Sequence, residues 1–467
     1  MSKIHEGNIS IEDNSSTGIH LSYALGSFFN DFVATALSIW VFKFYETEVF
    51  LPIIFITIAV VMYGLWNMIN DPIAGHLSDR NIKFMKAKGK RFTWFIITAI
   101  PCSLLFVFIF TPPASNEFII FLWMLAFLCI FDTLFSFMTI SWQSIFPDKF
   151  REQKERTKVA GFQILFSLLG LSVGMIIPLL IITTRPPGTN IESYFITALI
   201  ITIICAITVL IMLPGMREDR QMIDRTFRIE KREDREPYLK ILKYAVKQKN
   251  FMAYLFAYLA QTTVMALLLA SIPYWAQYIT KITPIEELIL LLVFLLASVA
   301  SAPIWIMVAR RYGNRIGYMC GTGGTALFLT IAMFITDFYG IMVGMILIGI
   351  SMGAPWTLLY PCFSDVIDEI VVETEKRDEG VYYGLRTFFG RLSIVIQALT
   401  FGILHILTHF NPKATNQSPL AQWGILIGMF AVPAFFYFIG FLCMWKIYDL
   451  KPEKVQIIKN KLKELKL

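Results

Sequence analysis

Five ionisable side chains lie well inside long apolar stretches of the sequence, where an unpaired charge is costly: Asp31, Asp71, Asp132, Arg386 and Arg391. A charge at the centre of a bilayer costs about 2.5–3.5 kcal/mol on insertion scales, so each should face the interior of a helix bundle. Asp31 and Arg391 have opposite charges and could form an ion pair over a polar cavity. We expect a binding role for Asp31, Asp71 and Arg391, while for Asp132 a structural hydrogen bond is favoured.

The spacing of two polar residues indicates an ion site. Asn67 and Asp71 are four residues apart, which places both on one face of a helix. A carboxylate and an amide carbonyl could supply two oxygen ligands to Na⁺, whereas H⁺ needs only one buried carboxylate. Either Na⁺ or H⁺ could therefore be the coupling ion.

Motifs for nucleotide binding and for tightly bound metals are missing from the sequence. It contains no HExxH, P-loop or GxGxxG motif, and its six cysteines lie in apolar segments without a CxxC pair. His405 and His409 are spaced i, i+4 but lack a third ligand, so a satisfied pair is favoured over a metal site. The sequence predicts no enzyme, no metal and no cofactor. The basic residues lie in loops between apolar stretches, so no nucleic-acid partner is expected.

The elements that position these residues are membrane-spanning helices. The chain has 467 residues, of which 56% are hydrophobic and only 16% charged, and a bilayer span needs about 20 apolar residues. The apolar runs are continuous rather than alternating, which predicts an all-α membrane protein instead of a barrel. Twelve spans are predicted at 19–45, 49–75, 92–112, 117–146, 158–184, 193–214, 249–279, 285–309, 315–336, 338–365, 380–409 and 418–446.

Basic residues set the expected orientation and the domain limits. Lysine and arginine concentrate in the loops after the second, fourth, eighth and tenth spans and in residues 215–248, so both termini should be cytoplasmic. We predict a tail (1–18), a six-helix bundle (19–214), a cytoplasmic linker (215–248), a second bundle (249–446) and an amphipathic tail (447–467). The last tail carries Val455, Ile458, Leu462 and Leu465 at helical spacing and should lie on the inner leaflet.

Three ordered matches relate the two bundles. They pair NDPIAGHLSDR with SAPIWIMVARR, SWQSIFP with PWTLLYP, and Gly161 and Phe166 with Gly384 and Phe389. The repeats indicate a pseudo-two-fold axis along the membrane normal, which suits alternating access with a solute at the midplane.

Charged loops on the cytoplasmic side predict a gate. Asp79 and Arg80 follow the second span and Arg156 follows the fourth, whereas Asp378 and Glu379 belong to an acidic loop after the tenth. The basic and acidic loops should pair when this side is shut and separate when it opens.

Several segments carry a family resemblance. GHLSDR (75–80) fits the loop motif of the major facilitator superfamily, and WNMINDPIAGHLSDR (66–80) with DEGVYYGLRTFFGR (378–391) resembles the glycoside–pentoside–hexuronide:cation symporters, the melibiose-permease-like family. The same fold family includes sodium-dependent lysophosphatidylcholine transporters. The resemblance implies a substrate-binding Asp31, a cation-site Asp71, and Arg391 in place of a helix 11 lysine.

The chain also departs from that family. Asn67 replaces a cation-site aspartate, Thr139 stands near an expected helix 4 aspartate, and Gln163 stands near an expected sugar-binding arginine. Three aromatic residues could stack on a sugar ring: Trp142, Tyr274 and Trp356.

These observations favour a cell-membrane, cation-coupled symporter of a small polar solute, with glycosides the leading class. Asp31, Arg391, Trp142, Gln163, Trp356 and Tyr274 would bind the substrate, and Asp71, Asn67 and Thr139 the cation. A lysophospholipid symporter of the same fold, indicated by a lipid-open groove, and a non-transporting receptor or scaffold stay open. The expected partners are a small-molecule substrate and the lipid bilayer, and the expected state is a monomer.

Overall fold

Long helices make up most of the chain. The computed structural model describes residues 16–78, 89–114, 116–150, 152–182, 187–220, 222–223, 244–374 and 379–465. Within those ranges the long helices are α1 (Thr17–Lys43), α2 (Ile53–Ser78), α3 (Lys90–Ile109), α4 (Glu117–Lys149), α5 (Gln153–Ile181), α6 (Ile191–Met216), α7 (Lys249–Trp275), α8 (Pro284–Tyr312), α9 (Asn314–Ala332), α10 (Phe338–Thr374), α11 (Glu379–Leu407), α12 (Pro419–Lys446) and α13 (Pro452–Leu465).

The predicted spans are confirmed as helices. In the described part of the chain, eleven helices are long and apolar enough to cross a bilayer. The remaining predicted span is α9, a 19-residue helix rich in glycine and threonine that packs against α10 and α12. Small residues allow such close helix packing, so α9 has the place of a twelfth span in the bundle.

Wider π-helical turns continue α1 and α7 at corresponding ends. Phe44–Glu48 extends α1, and Ala276–Thr280 extends α7. Such turns are rare and often mark functional sites. By the predicted orientation these ends are external, and the ends of α2 and α10 at Ser78 and Thr374 are cytoplasmic.

Packing repeats between the two halves of the chain. Helix α1 packs on α5 and α6, α2 on α4, and α3 on α4 and α6; adding six to each number gives contacts that are also present in the second half. The structure therefore shows the predicted all-α fold of two related bundles.

The seam between the halves is asymmetric. Helices α2 and α11 pack closely along their length and α1 packs on α7, whereas α5 and α8 touch only locally. Contact points on the α2–α11 side include Gly64 against Val395 and Thr57 against Gly402. One side of the seam is therefore tight and the other is loose.

The end of α10 corrects part of the predicted acidic loop. The helix runs to Thr374, beyond the predicted 365, so Asp365 and Glu369 are helical residues. Asn314 donates to Asp365 at 2.7 Å and Asn250 to Glu369 at 2.7 Å. These two acids are bonded within the second bundle rather than across to the first.

The C-terminal helix contacts protein where the inner leaflet was expected. Ile458 is buried and Val455 and Leu462 pack on the same apolar cluster at the cytoplasmic end of the second bundle. Lys454 pairs with Glu369 at 2.6 Å. Ile458 is therefore covered by protein, whereas Val455 and Leu462 are half-buried, and the placement of this helix on the inner leaflet stays a prediction.

Candidate functional site

An ion pair crosses the tight side of the seam. Arg391 on α11 donates through Nη2 to Asp71 Oδ2 on α2 at 3.1 Å and through Nε to the same oxygen at 3.2 Å. Side-chain exposure is 36% for Arg391 and 20% for Asp71, so the pair lies at the edge of a cavity rather than deep in packed protein. The predicted partner of Arg391 was Asp31, and the structure gives it Asp71 instead.

A second carboxylate lies beside this pair at the centre of an amide cluster. Asp132 on α4 is 3% exposed and accepts hydrogen bonds from the Nδ2 atoms of Asn67 and Asn70 on α2. Asn70 also donates to Ser136 Oγ at 3.0 Å, and Ser136 donates to Asp71 at 2.6 Å. One hydrogen-bonded chain thus joins the carboxylates of Asp132 and Asp71.

The amide of Asn67 has an unused oxygen. Its Oδ1 is buried without a hydrogen-bond partner, while its Nδ2 is committed to Asp132. A buried carbonyl oxygen without a donor is costly, and a cation would satisfy it. Asp132, Asp71 and Arg391 together carry one net negative charge, so a single monovalent cation would balance the cluster.

The cluster forms one end of a central cavity. The cavity has a volume of about 820 Å³, including the part that is open to solvent. It lies between α1, α2, α4 and α11, and its polar lining residues are Ser38, Tyr63, Asn67, Asp132, Arg391 and Gln397. The other lining residues are apolar, so the cavity has a charged end and an apolar wall.

Asp31 lies outside this lining. It is half-buried on α1 and accepts hydrogen bonds from Asn30 Nδ2 at 2.9 Å and from Ser167 Oγ on α5. The predicted ion pair between Asp31 and Arg391 is therefore wrong for this conformation. Hydrogen bonding to α5 satisfies Asp31 locally, while Arg391 points across the seam to α2.

The predicted sugar-stacking residues lie in three different places. Trp142 is 4% exposed and exchanges hydrogen bonds with Tyr23, donating to its carbonyl at 3.0 Å and accepting from its hydroxyl at 2.9 Å. Trp356 lines a separate apolar cavity, and Tyr274 belongs to an external network. The structure thus brings none of these three to the lining of the central cavity.

The other predicted residues are also dispersed. Gln163 is half-buried on α5, and Thr139 Oγ1 is buried on α4 without a hydrogen-bond partner. Arg156 Nε donates to the Phe150 carbonyl at 2.6 Å. Of the remaining gate residues, Asp79, Arg80 and Asp378 lie outside the described residues, as does the side chain of Glu379. The gate stays a prediction.

Charged residues join the two halves at the external end. Glu46, in the π turn after α1, accepts from Tyr274 at 2.6 Å and lies 2.8 Å from His405 Nδ1 on α11. Lys43 donates to the Pro273 carbonyl on α7 at 2.9 Å. All of these side chains are buried, so the two halves are in contact at this end, which is external by the predicted orientation.

An apolar cavity of about 740 Å³ lies on the loose side of the seam. Leu171 and Met175 of α5 form one wall, and α7, α8, α9, α10 and α12 form the rest, including Trp356. Glu287 is its one charged lining residue.

Sequence reasoning missed three elements of these sites. Asn70 stands in the quoted WNMINDP stretch, three residues after Asn67, and that helical spacing could have placed it with Asn67. For Asp132 the sequence favours a structural hydrogen bond, and the resemblance points to Thr139, two turns later, as the helix 4 position. Glu46 lies near a span end, where charges are common, so the sequence carried no clear signal for it.

Comparisons with known proteins place this geometry in a family. The family model described as MFS/sugar transport protein matches residues 22–451. A sodium-dependent lysophosphatidylcholine symporter of Danio rerio is 21% identical over 70% of this chain and 66% of its own length, and one of Mus musculus is 20% identical over 86% and 79%. The raffinose carrier protein of Pediococcus pentosaceus is 23% identical over 94% of this chain and 70% of its own.

The fold agrees with solved structures. The crystal structure of a D-xylose–proton symporter superposes with a TM-score of 0.63 over 93% of this chain and 98% of that chain, at 13% identity. At that identity the likeness shows the fold alone. With the family match spanning both bundles, the chain belongs to the MFS/sugar transport protein family and is a multi-pass membrane transporter.

Proposed function

We propose that the chain is a cation-coupled symporter in which the cation and Arg391 compete for one carboxylate, Asp71. The observation that carries this proposal is the Asp71–Arg391 pair beside the Asp132 amide cluster. The cation would bind Asp132 and the free oxygen of Asn67. It would also neutralise the carboxylate of Asp71 in place of Arg391. Arg391 would then be released to bind substrate in the central cavity.

The ligand set favours Na⁺ over H⁺. A proton needs only one carboxylate, so its binding would leave the buried Oδ1 of Asn67 without a partner. Na⁺ takes several oxygen ligands, including neutral carbonyls, so it uses that oxygen. Inward movement of one positive charge yields about 2.3 kcal/mol per 100 mV, which is the energy source for uphill uptake.

The central cavity supports a small polar solute. Arg391 and Gln397 offer hydrogen-bond donors from α11, and Ser38 and Tyr63 offer hydroxyls from the first bundle. Glycosides, which are rich in hydroxyl groups, remain the leading substrate class, and the raffinose carrier is a relative that fits this proposal. Both halves of the protein would hold the solute, as alternating access requires.

The apolar cavity favours a second candidate, a lysophospholipid. This cavity, of about 740 Å³, lies where α5 and α8 touch only locally. An acyl chain could therefore enter it from the bilayer between these two helices. Arg391 would hold the phosphate. The lysophosphatidylcholine symporters are relatives that fit this alternative.

Uptake into proteoliposomes tests both candidates. Sodium and pH gradients are imposed separately, and raffinose and lysophosphatidylcholine are offered as labelled substrates. Sodium-driven accumulation of raffinose supports the first candidate and accumulation of the lysolipid supports the second. Uptake of neither substrate, or uptake indifferent to both gradients, contradicts the proposal.

Two matched variants separate the candidates further. Gln397→Ala changes a polar wall of the central cavity, and Met175→Gln places an amide in the apolar cavity. A polar solute predicts a loss of uptake in Gln397→Ala alone. A lysolipid predicts a loss in Met175→Gln as well, because its acyl chain would meet an unsatisfied amide.

A further inference from the structure

A buried arginine in the second bundle has no anionic partner among the side chains that the structure describes. Arg386 on α11 is 4% exposed, and no carboxylate of the described residues lies within ion-pair distance of it. A guanidinium stays charged at every physiological pH, so burial cannot neutralise it. Among the described residues, therefore, a permanent charge lies at a helix-packing position without a counter-charge, which is costly inside a membrane protein.

Four aromatic rings surround the guanidinium. Its Cζ lies 4.5 Å from the ring centre of Tyr258, 4.7 Å from Tyr360, 5.3 Å from Tyr383 and 5.4 Å from Phe363. The negative faces of the rings attract the cation but add no charge, so the net charge of the cage remains +1. The cage therefore stabilises a cation that is still able to bind an anion.

One ring of the cage packs against α11, and two others are exposed on the protein surface. A Cβ on Gly390 would lie 2.7 Å from the Tyr258 ring, so α11 packs directly on that tyrosine. Tyr360 and Tyr383 are 56% and 45% exposed. The Tyr360 hydroxyl lies within hydrogen-bonding reach of the guanidinium, whereas Arg386 Nε has no hydrogen-bond partner.

The repeat shows that the fold does not require this charge. Gly161 matches Gly384 and Phe166 matches Phe389, so the position equivalent to Arg386 in the first bundle is Gln163. Gln163 is half-buried and uncharged. The arginine is thus particular to the second bundle.

We infer that Arg386 and its aromatic cage form a binding site for an oxyanion, a phosphate or carboxylate group. The rings supply no carboxylate to the guanidinium, and its N–H groups bind oxyanions, often in bidentate fashion. Arg386 is seven residues from the start of α11, about 10 Å along the helix. By the predicted orientation the site lies near the cytoplasmic side, where a solute group or a lipid phosphate could reach it.

Thermal unfolding of the full chain in non-ionic detergent tests the site with inorganic phosphate as the probe. Sodium concentration and ionic strength are matched with sodium chloride. The wild type should gain about 2 °C in Tm at phosphate ten times its Kd. Arg386→Met, which removes the charge, should lose this gain, and Arg391→Gln should keep it. The site is wrong if Arg386→Met keeps the gain or Arg391→Gln loses it.

Two further measurements keep the test valid if Arg386→Met folds poorly, and they identify the source of the anion. The double variant Tyr360→Phe, Tyr383→Phe keeps the rings and removes two hydroxyls, so it should fold and bind phosphate several-fold more weakly. Phosphatidylglycerol replaces phosphate in a parallel titration. Protection by the lipid that Arg386→Met abolishes also supports the site and identifies a headgroup. No response to either anion in the wild type overturns it.

Discussion

Asp71 and Arg391, 320 positions apart in the chain, form an ion pair at 3.1 Å that joins the two bundles. Asp132 lies beside them and is linked to Asp71 through Asn70 and Ser136. The cluster contains two carboxylates and one guanidinium, and the guanidinium bonds to Asp71. In the proposed mechanism, a bound cation changes this pairing and releases Arg391.

Neutralising Asp71 should uncouple substrate binding from sodium. In Asp71→Asn, Arg391 loses its carboxylate partner and is free to bind substrate without the ion. Coupling energies of 1–3 kcal/mol correspond to about a 5–150-fold ratio between the substrate Kd without sodium and the substrate Kd with sodium. In Asp71→Asn this ratio should fall to less than about twofold. Substrate Kd of the purified protein, measured with and without sodium, checks the change. A variant that still needs sodium would contradict the proposed competition.

Neutralising Asp132 should keep Arg391 paired with Asp71. Asp132→Asn removes the anchor for the cation but leaves the Asp71–Arg391 pair intact. Substrate should then bind weakly at every sodium concentration, and gradient-driven uptake should be lost. Equilibrium binding and vesicle uptake measured together check this, and tight binding in Asp132→Asn would show that the cation site lies elsewhere.

Asn67 should affect the ion far more than Thr139 does. Asn67 contacts Asp132 and has a free oxygen, whereas Thr139 has no hydrogen bond to that cluster. Asn67→Ala should raise the sodium concentration for half-maximal uptake about tenfold, corresponding to about 1.4 kcal/mol for one lost ligand. Thr139→Ala is the matched control and should change it less than twofold. Equal effects in the two variants would argue against Asn67 as a ligand.

Removing Glu46 should open the external side more often. Its hydrogen bonds to Tyr274 and His405 hold the first bundle to the second, and such bonds in membrane proteins are worth about 0.6–1.7 kcal/mol each. In a cysteine-free background with Ser38→Cys in the central cavity, Glu46→Ala should speed labelling by an external, impermeant thiol reagent by about eightfold or more. Glu192→Gln, an exposed acid at the start of α6, is the control. An unchanged labelling rate would exclude Glu46 as an external closure residue.

Gly26 should tolerate no side chain. A Cβ there would lie 2.2 Å from the Trp142 ring, while a Cβ at Gly75 would meet nothing within 4 Å. Gly26→Ala should therefore destabilise the protein by about 1–3 kcal/mol, as overpacking does. Gly75→Ala should be neutral or slightly stabilising, because alanine favours helix. Thermal unfolding of both variants in detergent checks the prediction, and equal Tm values would contradict the close packing of α1 on α4.

The sequence by itself determined the number, type and approximate limits of the helices. Continuous apolar runs leave helices as the way to satisfy backbone groups in a bilayer, and the repeated motifs around Pro72 and Pro303 indicated two related bundles. Asp71 and Arg391 could be picked out because charges in apolar spans are costly and so are kept for a purpose.

Only the tertiary structure decided which of these charges meet. Helical spacing fixes which side chains share one helix face, but it contains no information on which helix that face contacts. The sequence therefore paired Arg391 with Asp31, and packing of α2 on α11 paired it with Asp71. The same packing placed Asp132 against Asn67 and Asn70 and moved Trp142 into a helix contact. Chain-distant contacts arise from the summed fit of whole helices, so no local pattern could reveal them.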